Sequence, residues 1–392
     1  MSGVARFLRT GLKLLILGVV GALLFILRYM LKTPQSLKSV LPGEERLYKW
    51  THGHIFYKVL GEGDAPPLVL IHAPGIGSSS YEMRDLMEPL GRHYRVYALD
   101  LLGFGLSDRP SLAYSADFYV KLLQDFLADL IKQPATLLAS GTSCNYSMAV
   151  AARTPALCKA LVLLSPLALF EPRRPRSWLV ACAKNPFIAL LLYSILTSSS
   201  ILRNVVITEY GPDDRHVSQE ELDYISASAH QLGGQHAALA SLAGVLNLDV
   251  TNVLGKITQP SLLIWGAKAL RDSHMITGQQ NVSPLIQVRS IDGAGMRVQE
   301  ECPERLVTDI LAWRTEHVSE KAAPVAVMKE PEAQKEPPAH PESVEEIAAY
   351  CVKCRQKRIM QQATRIVTKN GRAAMEGRCP ICTTKLFRFV AS

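Results

Sequence analysis

Residues 135–150, Ala-Thr-Leu-Leu-Ala-Ser-Gly-Thr-Ser-Cys-Asn-Tyr-Ser-Met-Ala-Val, constrain this chain more than any other stretch. A short apolar run reads as a buried strand, Gly141-x-Ser143-x-Asn145 as a sharp turn, and the residues after it as a helix. The expected apex is Ser143, its hydroxyl standing above the end of a sheet. A serine hydroxyl ionises far above neutral pH, so it becomes a nucleophile only beside a histidine base that a carboxylate orients.

The flanking sequence repeats the strand-then-helix alternation. Tyr48–Leu60 reads as a hairpin turning at His52-Gly53-His54, two histidines that fit a solvated turn better than a metal site. Strands are expected at 67–72, 94–100, 135–140, 160–165, 260–265 and 286–291, with helices at 81–90, 118–131, after the turn to Arg153, and 303–317. That alternation implies a mostly parallel sheet covered by helices on both faces. Residues 167–245 interrupt it with a long helical insertion, the expected cap, which carries Arg173, Arg174, Arg176 and the apolar run Phe187–Leu196. The domain reading is an anchor at 1–40, an α/β domain at 41–318 with its cap, a linker rich in Ala, Pro, Glu and Lys at 319–345, and a small domain at 346–392.

Three further motifs accompany the turn in order: the loop after His72, Asp100-Leu-Leu-Gly-Phe-Gly-Leu-Ser-Asp108, and Gly293-Ala-Gly-Met-Arg-Val-Gln-Glu-Glu-Cys-Pro303. Together they resemble the α/β-hydrolase superfamily over about residues 45–317. Its members range from esterases and lipases to epoxide hydrolases, so the fold alone names no substrate. The resemblance implies Ser143 as nucleophile and the backbone N–H of Cys144 as an oxyanion donor, with Asn145 replacing a family glycine. The family acid would follow Trp265-Gly266, where Ala269 stands, leaving Asp272 or Glu171 as displaced candidates. The family base would follow Gly295, where Met296 stands, leaving His274 as the substitute and His317 on the last helix. A second oxyanion donor is expected at Pro74, which has no N–H, so the role falls to Gly75 or Ile76. The expectation is therefore a hydrolase fold with an impaired triad that binds an apolar small molecule or serves as a scaffold. The alternative is an active serine hydrolase on carboxylic or lipid-like esters with an unusual base.

Both ends of the chain carry separate signals. Near the N-terminus an uninterrupted apolar run, Leu14–Leu27, lies between Lys13 and Arg28. Spanning a bilayer takes about 20 residues, reached here from Leu12 to Leu31 if the flanking cations snorkel, and no small-x-small cleavage pattern precedes Thr33-Pro34. A retained single-pass membrane anchor is the expectation. At the other end Cys351-Val-Lys-Cys354 and Cys379-Pro-Ile-Cys382 have the spacing of two knuckles closing a structural Zn²⁺ site, and the region resembles a small zinc ribbon. Such thiols suit a reducing compartment, which places the soluble domains on the cytoplasmic side. The chain's formal charge of +8 resides in this tail, where ten Lys or Arg face the single acid Glu376. A third reading thus makes the ribbon an adaptor for nucleic acid or protein, tethered to the membrane.

Overall fold

The computed structural model describes residues 36–166, 174–210, 217–268 and 285–318, five positions between 11 and 21, and short tracts between 348 and 389. The candidate residues Glu171, Asp272, His274, Ala269 and Cys354, Arg173 of the cap, positions 14–17, 19 and 22–27 of the apolar run and the linker after Val318 lie outside the described residues. The chain forms two compact units, Met1–Val325 and Ala326–Ser392.

The first unit is built on an eight-stranded sheet: β1 (Glu44–Trp50), β2 (Gly53–Leu60), β3 (Pro67–Ile71), β4 (Arg95–Leu99), β5 (Ala135–Ser140), β6 (Cys158–Leu164), β7 (Ser261–Gly266) and β8 (Ile286–Ile291). Their order is β1-β2-β4-β3-β5-β6-β7-β8. The β1–β2 hairpin and the β2–β4 pair are antiparallel, and every later pair is parallel. β3, β5 and β7 are buried along their whole length, as strands are when helices cover both faces. Alternate residues feed two cores: Val69, Ile71, Leu137 and Leu163 one, Leu68, Leu70, Leu138 and Leu164 the other.

Helix α1 (Arg84–Gly91) covers one face, α2 (Ala116–Asp125) and α3 (Ser143–Arg153) the other. The Ser115 hydroxyl caps α2 by accepting from the Phe118 N–H. After β6 come the cap helices α4 (Ser177–Lys184), α5 (Pro186–Leu196), α6 (Ser199–Tyr210), α7 (Gln219–Ala229) and α8 (Gly234–Leu242). Pro186 starts α5 where its missing N–H costs nothing, and the Asn185 side chain accepts from Phe187 and Ile188 N–H. Helix α9 (Pro303–His317) closes the unit against the α1 face. The expected strands and helices of 44–166 and 260–317 are present within a few residues.

The cap leaves Trp178, Phe187, Ile188 and Ile195 exposed on α4 and α5. Among the described residues no single helix is long and apolar enough to cross a membrane, and the apolar pair α4–α5 is bent by 112°. In the second unit β9 (Ala348–Cys351) pairs with β10 (Gln356–Ile359), and β11 (Gln361–Val367), β12 (Ala373–Arg378) and β13 (Lys385–Phe389) form an antiparallel sheet.

Candidate active-site cavity

The turn between β5 and α3 differs from its sequence reading in phase. β5 ends at Ser140, and the residue that turns the chain is Gly141, with φ +52° and its N–H donated to the Leu164 carbonyl of β6. Thr142 follows with helical φ and ψ, and Ser143 is already the first residue of α3. A left-handed φ favours glycine, because a Cβ there crowds the backbone. The apex is therefore Gly141, two residues before the serine expected there.

Ser143 is fully buried below the turn, and its Oγ donates to the His72 backbone carbonyl at 2.7 Å. The His72 ring is itself committed to backbone: Leu101 N–H donates to Nε2 at 3.0 Å, and Nδ1 lies 2.9 Å from the Ala73 carbonyl. Burial lowers the pKa of His72, so the ring is neutral, with the Nδ1 proton on Ala73. Among the described residues no imidazole nitrogen bonds to Ser143 Oγ. His317 stacks on Trp313, its Nδ1 near the Trp313 carbonyl. Cys144, expected to supply an oxyanion N–H, donates it to the Gly141 carbonyl at 3.3 Å, and burial pushes its thiol well above the usual range. The residue that follows the apex is Thr142, whose N–H meets no acceptor among the described residues. Asn145 ties α3 to the chain after the cap by donating to Leu248 O at 2.8 Å.

Above the turn lies a cavity of about 290 Å³, and Ser143 is not part of its wall. Gly141 and Thr142 form its floor together with Ser140 and Ser165, the residue that leaves β6. Met296, Arg297 and Gln299 form one side, and Leu202, Val206, Ile225 and Leu242 of the cap the other. Met296 thus stands at this cavity where the family places its base. The loop carrying it lies close over the end of β7, where a Cβ on Gly266 would meet the Gly295 and Ala294 carbonyls at 2.0 and 2.3 Å. Pro74 also lines the cavity, and its carbonyl accepts from Ser241 Oγ of α8 at 2.8 Å.

Beside the cavity is a group of buried charges the sequence reading did not single out. Glu82 accepts from Ala73 N–H at 3.0 Å and from Ser140 Oγ. Burial pushes its carboxyl up to about 7, opposed by the Arg297 charge and the Ser140 hydrogen bond. Glu300 pairs with Arg84 at 2.6 Å and Arg297 at 2.5 Å, and Arg84 reaches Glu221 of α7 at 3.8 Å. These pairs join α1, the cap and the loop after β8. Among the described residues two buried polar atoms on the cavity wall have no hydrogen-bond partner, Ser165 Oγ and Gln299 Oε1. Ser165 also has φ +43°, rare for a residue with a side chain. The one available signal for the true apex was the strand boundary: with β5 ending at Ser140, Gly141 is the next residue.

Comparison with known proteins agrees with this architecture. A family model described as alpha/beta hydrolase fold matches residues 66–284, and a domain of unknown function, DUF5679, matches 350–389. Haloalkane dehalogenase 2 of Mycobacterium tuberculosis is 27% identical over 282 residues, covering 70% of this chain and 96% of the relative. A 2-(acetamidomethylene)succinate hydrolase of Mesorhizobium japonicum is 24% identical over 262 residues, covering 64% of this chain and 89% of the relative. Among solved structures, a serine hydrolase of carbazole degradation superposes with TM-score 0.58 at 20% identity, over 70% of this chain and all of its own. A bacterial membrane phospholipase A gives TM-score 0.58 at 22% identity, over 80% of this chain and 98% of its own. At these identities the structural likeness speaks for the fold.

Proposed function

Since the chain belongs to the α/β-hydrolase fold family, we propose that its hydrolase domain is a non-hydrolytic receptor for a small, largely apolar molecule. The observation that carries this reading is Gly141 at the turn between β5 and α3. A nucleophile in this architecture must project from that turn into the cavity, and glycine has no side chain to project. Ser143 lies below the sheet end with its hydroxyl given to a carbonyl, and Met296 offers no proton acceptor at the cavity. In a well-studied serine protease, loss of the nucleophile or base alone costs about a million-fold in turnover.

The hydrolases among the relatives support the opposite reading, an active ester hydrolase using Ser143 with His274 and Asp272. A fluorophosphonate probe with mass-spectrometric site mapping separates the two. Receptor function predicts no labelled serine and no esterase activity above a Ser143→Ala control. Labelling of Ser143 that His274→Ala abolishes would overturn it.

The two ends of the chain complete the proposal. The N-terminal apolar run is a single-pass anchor, tested by carbonate extraction of membranes from cells making the full chain; release of the protein would exclude it. The four C-terminal cysteines hold one structural Zn²⁺. Cys379 and Cys382 follow β12 and precede β13, and Cys351 ends β9 opposite Gln356. Cys379 is buried and its N–H donates to Thr384 O at 2.9 Å, in keeping with a thiolate knuckle inside a small sheet. Elemental analysis of the full chain should give one zinc per molecule, lost on joint Cys379→Ser and Cys382→Ser substitution; unchanged zinc would refute the site. The basic surplus of this tail supports a nucleic-acid or acidic protein partner, and binding that does not weaken with added salt would argue against either.

A further inference from the structure

The cavity wall combines polar side chains at the strand ends with aliphatic ones from the cap, and among the described residues two of its polar atoms lack partners. Buried polar atoms normally find partners, and one left without costs free energy unless a ligand or water supplies the bond. Here two such atoms, Ser165 Oγ and Gln299 Oε1, share the wall of one cavity, each on a residue 3–4% exposed. Next to them is the Thr142 N–H at the start of α3, an 11-residue helix whose N-terminal end favours a hydrogen-bond acceptor. Ser165 is held there in a left-handed backbone conformation that costs of order 1 kcal/mol and is commonest at functional sites. From the cap, Leu202, Val206, Ile225 and Leu242 supply aliphatic lining.

Resting on the receptor reading above, we propose that the cavity binds an aliphatic molecule with an uncharged head that both donates and accepts hydrogen bonds, a primary alcohol or amide. The head lies against Ser165, Gln299 and the Thr142 N–H, and the tail runs along the cap side. Charge excludes the other heads. The guanidiniums of Arg84 and Arg297 are matched by Glu221 and Glu300. Glu82, on the same wall, adds a carboxyl that burial drives toward its neutral form. Among the described residues the one guanidinium on the cavity wall, Arg297, is already paired with Glu300, so a carboxylate head would face Glu82 without a free cation and an ammonium head would face that guanidinium. A head with both donor and acceptor satisfies the Gln299 oxygen, the Ser165 hydroxyl and the Thr142 N–H together. The volume is roughly twice the ~150 Å³ of an engineered cavity that admits benzene, which suits about ten to fifteen heavy atoms.

Calorimetric titration of the purified full-length chain with 1-decanol, decanamide, decanoate, decylamine and butylbenzene tests the assignment. Decanol and decanamide should bind, with decanoate and decylamine at least about tenfold weaker. Gln299→Leu and Ser165→Ala should each weaken decanol by about tenfold, the loss expected for a buried hydrogen bond, and leave butylbenzene unchanged. Thermal unfolding midpoints confirm that both variants are folded. Equal binding of charged and uncharged heads, or decanol affinity untouched in both variants, overturns the head assignment while butylbenzene binding upholds the receptor. If no probe binds, both readings fall.

Discussion

Two neighbouring strands each leave the sheet through a residue with positive φ, with opposite results. After β5 the chain turns at Gly141 with φ +52°, and after β6 at Ser165 with φ +43°. They are adjacent rungs of one ladder, since Gly141 N–H bonds to Leu164 O and Ser165 N–H bonds to Ile264 O of β7. At Gly141 the left-handed geometry carries no strain and presents no functional group. At Ser165 it is strained and presents a hydroxyl without a partner among the described residues. Strain and side-chain chemistry thus sit one strand away from the turn where a hydrolase keeps its nucleophile. The lesson is that an elbow's shape persists without its chemistry, because the shape depends on strand pairing and a tolerated φ, and the chemistry on a side chain.

The largest effect that would sharpen this contrast concerns Glu82, which receives the Ser140 hydroxyl just before Gly141. Its carboxyl rises from 4.5 to about 7 in the folded chain. Between those values the folded state holds a proton that the unfolded state has released, so stability falls as pH rises through that window. The contribution is present in full below about 4.5 and is lost at neutral pH, a change of about 3 kcal/mol. Urea unfolding at pH 5 and pH 8 should reveal the slope, and Glu82→Gln should flatten it. A wild-type profile as flat as the variant's would show that the carboxyl is not desolvated as described.

Next in size, Gly141→Ser should destabilise the chain by about 1–2 kcal/mol, since a Cβ enters the left-handed region. It should gain no esterase activity alone, for lack of a base. Joined to Met296→His it should become reactive toward a fluorophosphonate at position 141, measured by site mapping. Labelling of Ser143 instead would return the apex to that residue.

The smallest effect has the opposite sign. Ser165→Gly removes the strained φ and the unpaired hydroxyl, so it should stabilise the empty chain by about 1 kcal/mol while weakening decanol binding. A loss of stability, read from the urea midpoint, would mean that Ser165 is a structural residue.

Much of the sheet was legible because strand and helix periods are local. The runs at 67–72, 135–140 and 260–265 are apolar on both faces and bounded by turn residues, and they became β3, β5 and β7. The site was less legible. Met296 and Pro74 do line the cavity, as the motif spacing implies. Ser143 was misplaced because Gly-x-Ser-x-Asn and the overlapping Ala139-x-Gly141-x-Ser143 are both small-residue turns, and spacing does not choose between them. Glu82, Ser165 and Gln299 were missed because each is an ordinary polar residue in its own neighbourhood.

By itself, then, the sequence determined the alternation of strands and helices, the helical cap, the paired cysteines and the missing histidine, all properties of residue type at short spacing. Only the tertiary structure decided which residue turns the chain after β5. That phase is set by the bond from Gly141 N–H to β6, a strand some twenty residues away. It also gathered Glu82, Ser165 and Gln299 around one cavity, since burial and partnership belong to positions in space and are not carried by a residue's neighbours in the chain.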